Sequence, residues 1–72
     1  MKNEVIVKRV QILMEKLTKY SKKMMESFMF FYKRKWSLED VSINLFNLYG
    51  NKFMKVQNDY EELYTIFTKF SI

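Results

Sequence analysis

Eight acidic and thirteen basic side chains carry nearly all the ionic chemistry available to this 72-residue chain at neutral pH, because it contains neither His nor Cys. Without His there is no imidazole to act as a general base, and without Cys there is no thiolate nucleophile. The same two absences remove zinc sites and disulfides together. One glycine, Gly50, cannot build a phosphate-cradling glycine-rich loop. Five of the eight carboxylates fall into two groups, Glu39/Asp40 and Asp59/Glu61/Glu62. Sequence neighbours on a helix point in different directions, so these groups read as a helix cap and a solvated face. The chain is predicted to be no enzyme, with no catalytic residue, no cofactor site and no metal ligand.

Two constellations remain that could bind. Lys8, Arg9, Lys16, Lys19 and Lys23, with Lys22 at the edge, cluster over about a quarter of a helical wheel. Such a stripe could follow a phosphate backbone or an anionic membrane surface. The alternative is a solvated face laced by Glu4–Lys8, Glu15–Lys19 and Glu26–Lys22 at i,i±4 spacing. Lys supplies charge without bidentate base readout, so any nucleic-acid binding by this face is predicted not to be base-specific. The second constellation is the run from Met24 to Trp36, MMESFMFFYKRKW. Phe28, Met29, Phe30, Phe31 and Tyr32 point all round a helix, and one neighbour cannot hide them all. They and Trp36 are the predicted partner-binding residues, since aromatic and Met side chains concentrate at binding hot spots. A homodimer interface that consumes them is the competing reading. A helix-turn-helix centred on Gly50 fits poorly. Phe46 stands where a small residue is wanted, and the would-be recognition helix is acidic.

The elements that must position these residues are helices. Ile6, Val10, Leu13, Leu17, Tyr20, Met24, Phe28 and Phe31 recur at steps of three and four, the α-helical period. This predicts a first helix over about 3–33, ended by the polar break Lys33-Arg34-Lys35. Ser37 with Asp40 three residues on resembles a capping box, and Trp36 and Val41 sit where a hydrophobic staple would. From there the stripe Leu38, Val41, Leu45, Leu48/Tyr49, Phe53, Val56, Tyr60, Leu63, Phe67, Phe70 keeps its phase through Gly50-Asn51. The spacing therefore predicts one long second helix, about 38–70, with room for a kink at Gly50. A three-helix arrangement with a turn at 50–51 is the alternative. Two such helices would form an antiparallel hairpin on the order of 45–50 Å long.

Size and composition complete the expectation. An all-α domain this small is marginal alone, and with disulfides and metals excluded, self-association is the remaining support. The predicted architecture is thus a single domain, 1–72, whose hairpin dimerises into a four-helix bundle. Residues 1–36 carry net +7 and residues 37–72 net −2, within a total of +5, which suits a basic helix lying on an acidic one. Lys outnumbers Arg by 11 to 2, with many Asn, Ile, Phe and Tyr and no Ala. An AT-rich genome encodes that bias, so a phage or mobile element of a low-GC bacterium is the expected source. No apolar run approaches a signal peptide or a membrane span, and the expected location is cytoplasmic. The predicted function is a non-catalytic regulator or adaptor that docks on a larger partner protein through the aromatic surface, such as a DNA-handling enzyme. Direct binding of nucleic acid or an anionic surface by the basic face is the rival.

Overall fold

The computed structural model describes residues 2–70 and is all-helical. Five helices follow in order: α1 (Lys2–Tyr20), α2 (Lys22–Lys33), α3 (Leu38–Tyr49), α4 (Asn51–Met54) and α5 (Gln57–Phe70). The helical periodicity is therefore real, but it is cut in more places than the stripe suggested. The molecule measures 38 × 24 × 17 Å. A 45–50 Å hairpin does not fit in that length, so the two long helices are replaced by shorter ones folded on each other.

The first cut is at Ser21, which leaves the helical region (φ −162°, ψ 104°) and accepts a hydrogen bond from the Met24 amide on its side-chain oxygen at 3.1 Å. This is an N-cap in the middle of the predicted first helix. The ladder is barely interrupted, since Ser21 N–H still donates to the Leu17 carbonyl and its own carbonyl accepts from Met25. One residue is enough to redirect α2 relative to α1.

The turn after α2 is a Schellman arrangement. The Trp36 amide donates back to the Phe31 carbonyl and the Lys35 amide to the Tyr32 carbonyl. Lys35 occupies the left-handed position that glycine usually takes, at φ 62°. The hydrophobic contact that accompanies this motif is Trp36 stacked on Phe31, with ring centroids 4.6 Å apart. Ser37 then caps α3 by accepting from the Asp40 amide, as the sequence predicted.

The third cut is Gly50. Its φ of 58° with ψ −132° ends α3, and its amide donates to the Phe46 carbonyl at 2.7 Å. The single turn of α4 follows, and α5 then runs back antiparallel to α1. Two ion pairs give that register: Arg9 with Glu62 and Lys16 with Asp59. The Tyr64 hydroxyl donates to the Trp36 carbonyl and ties α5 to the α2–α3 turn. The Tyr20 hydroxyl donates to the Lys52 carbonyl and ties the end of α1 to α4.

The core is one cluster drawn from every helix: Leu13, Leu17, Met24, Met25, Phe28, Phe31, Val41, Leu45, Phe53, Val56, Tyr60, Leu63 and Phe67. Phe28 is at its centre, with ring centroids 4.8 Å from Tyr60 and 6.3 Å from both Phe67 and Tyr32. Among the described residues, no polar or charged residue is buried with them.

Candidate functional site

The aromatic run is divided by the fold. Phe28 is fully buried and Phe31 nearly so, both inside the single chain. Met29, Tyr32 and Trp36 are half-buried against the same core. The expectation that these residues need a second molecule rested on a helix with one neighbour. The cuts at Ser21 and at 34–37 instead fold α3 and α5 against this segment, and Phe28 and Phe31 have no surface left for a partner. Phe30 alone stays open, at 49% exposure. Its ring face is occupied by the Arg34 guanidinium, 3.6 Å from the centroid, a cation–π contact that competes with stacking of a nucleobase there.

The basic face is divided as well. Arg9 forms a bidentate pair with Glu62, Nε to Oε2 at 2.6 Å and Nη2 to Oε1 at 2.7 Å. These hydrogen bonds hold the Glu62 carboxyl below its ordinary range and raise the guanidinium of Arg9. Lys16 is 2.7 Å from Asp59. Both residues thus reach across to α5 and pair with two of its carboxylates while staying about half exposed. Lys23 lies beyond the Ser21 break, on a different helix from Lys8 and Lys19. Among the described residues, none of the pairs Glu4–Lys8, Glu15–Lys19 and Glu26–Lys22 closes to ion-pair distance, and the residues are exposed. The five residues therefore do not make one uninterrupted cationic track.

A polar cluster sits beside the core where α2 meets α3. The Tyr49 hydroxyl lies 2.7 Å from the Ser27 hydroxyl and donates to the Lys23 carbonyl at 3.2 Å. The Tyr60 hydroxyl is buried with no hydrogen-bond partner. Burial, with a smaller contribution from Tyr49, pushes the Tyr60 phenol well above its usual value of 10.0. Because ionisation is harder in the folded chain, the group leaves stability independent of pH below pH 10 and draws the chain toward unfolding as pH rises beyond that. An unpaired buried hydroxyl contributes nothing favourable at neutral pH. Tyr60→Phe is accordingly expected to leave stability unchanged or raise it by up to about 1 kcal/mol at pH 7, and to blunt unfolding above pH 10. Urea titrations at pH 7 and pH 11 measure both; a clear loss at pH 7 means that the hydroxyl has a partner.

Further apolar surface stays open between α3 and α4. Ile43, Phe46 and Met54 are about half exposed and line one groove between α3 and α4. Its floor is the buried Phe53, and Ser42 and Gln57 close its sides. Glu39 lies on the same row of α3, one turn before Ile43, and Gln57 donates to the Glu61 carboxylate at 3.1 Å. The groove is thus apolar along its length with carboxylates flanking it. Sequence reading missed it because Ile43 and Phe46 fall off the main stripe, and Met54 joins them only after the chain turns at Gly50.

No protein-family model, no curated protein and no solved structure matches this chain. Among the described residues no helix is long and apolar enough to cross a membrane, and no group of acidic residues could hold a metal ion.

Proposed function

We propose that this chain is a non-catalytic adaptor or regulator that docks on a larger partner protein. Its docking site is the α3–α4 groove, and the occupant is an amphipathic helix with an apolar ridge and basic flanks. The observation that carries this reading is the grouping of Ile43, Phe46 and Met54, three half-exposed apolar side chains that line one groove, whereas Val5, Phe30, Leu48 and Phe70 are comparably exposed without lining it. Helices laid in grooves are recognised through such apolar anchors, and Glu39 and Glu61 would favour basic residues beside the ridge.

A photo-crosslinking phenylalanine analogue placed at position 46 tests it in the native cellular extract. The expected result is one discrete protein adduct that persists from 50 to 500 mM salt and disappears with Ile43→Glu. A basic amphipathic peptide taken from the cross-linked region should then compete for the site. Ile43 is half exposed, so Ile43→Glu is expected to shift folding stability by no more than about 0.5 kcal/mol. An adduct formed equally well from position 22, or one lost steeply with salt, overturns the groove reading. Salt sensitivity together with nucleic-acid capture would instead favour the cationic residues Lys8, Lys19 and Lys23.

A further inference from the structure

The outward face of α1 bears a charge pattern that is complementary to itself when reversed. Leu13 and Leu17 turn α1 into the core. At 100° per residue, Glu4, Lys8, Gln11 and Glu15 lie on the opposite side, with Thr18 and Lys19 flanking them, and all six are exposed. Along the helix the charges read Glu4, Lys8, Glu15, Lys19. Reflected about the Gln11–Ile12 midpoint, every acid falls on a base: Glu4 opposite Lys19 and Lys8 opposite Glu15. A parallel alignment places like charges together.

The surface relief and the apolar residues follow the same symmetry. Two shallow depressions lie on α1, one lined by Asn3, Glu4, Val7, Lys8 and Gln11, the other by Met14, Glu15, Thr18 and Lys19. Among the described residues no other helix contributes to either, so they leave this face uncovered. Val7 and Ile12 are more than half exposed at its two edges, and Met14 is half-buried beside Val7. An antiparallel approach brings Ile12 against its own copy at the two-fold axis, and Val7 close to Met14 of the second molecule.

We infer that the occupant of this face is a second copy of the chain, its α1 antiparallel to the first across a two-fold axis near Gln11 and Ile12. Such an isologous contact closes on itself and gives a dimer rather than a fibre. α1 is about 28 Å long, which places the contact at the small end of specific interfaces. The dimer is therefore concentration-dependent. The α3–α4 groove is formed by other helices, so each copy carries its own groove, and the inference does not rest on what fills it.

Charge reversal tests the pairing, with dissociation constants measured by sedimentation equilibrium in low salt. Each substitution acts twice across the two-fold axis. Lys8→Glu and Glu15→Lys, tested singly, are each expected to weaken dimerisation about tenfold or more. The double variant, Lys8→Glu with Glu15→Lys, keeps the net charge of the wild type and should recover its affinity within about threefold. An equimolar mixture of the two single variants should also recover it, since every cross-pair is then opposite in sign. Both positions are exposed, and helical content measured on the same samples confirms that the fold is intact. A wild-type chain that stays monomeric at millimolar concentration overturns the inference. So does a dimer indifferent to these changes, or a double variant no better than the singles.

Discussion

Phe28→Ala is expected to strip the fold of a large part of its stability at 25 °C. The ring is fully buried at the meeting point of Tyr60, Phe67 and Tyr32. Truncating a buried Phe to Ala costs about 3–5 kcal/mol, part transfer and part cavity. A chain of this length has a total stability of roughly 4–11 kcal/mol at ordinary values per residue. The loss is therefore from about a quarter of the total upward, and equals it at the low end of that range. Phe30→Ala, two residues on, is expected to cost no more than about 1 kcal/mol, because that ring is half exposed and touches only Arg34 on its face and the nearly buried ring of Phe31 edge-on. Circular dichroism through a urea titration measures both. Comparable losses at the two positions would mean that Phe28 is not central. A loss at Phe28 that diminished as protein concentration rose would show that the ring is buried between chains, as the sequence alone suggested.

That contrast shows where sequence reading succeeds and where it stops. Periodicity reports which side of a segment is buried. Leu13, Leu17, Met24, Phe28, Phe31, Val41, Leu45, Phe53, Val56, Tyr60, Leu63 and Phe67 all lie on the stripes read from the sequence and all are in the core. Periodicity does not report the direction of the helix axis. At Ser21 only one residue leaves the helix, too few to disturb the spacing. From Gly50 to Val56 the connection is seven residues long. At about 100° each they return to within about 20° of the starting phase, so the stripe runs unbroken across a reversal of the chain.

The candidate binding residues were less legible for a related reason. Phe28 and Phe31 were assigned to a surface because a straight helix has only one neighbour to bury them. Two breaks supply the others. The Schellman turn that shapes one of those breaks has Lys35 where glycine is the usual signal, so nothing in the residue types announced it. Arg9 and Lys16 were placed correctly on the outside of α1. Their partners Glu62 and Asp59 lie 53 and 43 positions away, beyond any i,i+4 rule. The groove of Ile43, Phe46 and Met54 needs the reversal at Gly50 before its sides exist at all.

Gly50→Ala decides whether that reversal is built into the chain. In one continuous helix over 38–70, an interior Gly→Ala change stabilises by about 1 kcal/mol through helix propensity. In the observed fold the same change acts in the opposite direction. Gly50 sits at φ 58° and ψ −132°, a conformation that L residues rarely adopt. An added methyl would meet no atom within 4 Å. The penalty is therefore conformational alone, about 1–3 kcal/mol, with no clash to relax away. The two structures thus predict opposite signs for one substitution. A 72-residue chain is within reach of chemical synthesis, which permits a sharper control. D-alanine prefers this backbone region, the mirror image of an ordinary extended conformation for L residues, so it should retain the stability that L-alanine loses. Thermal melts of the three chains at one concentration read the order directly: D-alanine at or above glycine, and L-alanine below both. If L-alanine melts highest, α3 continues into α5 and the α3–α4 groove does not form.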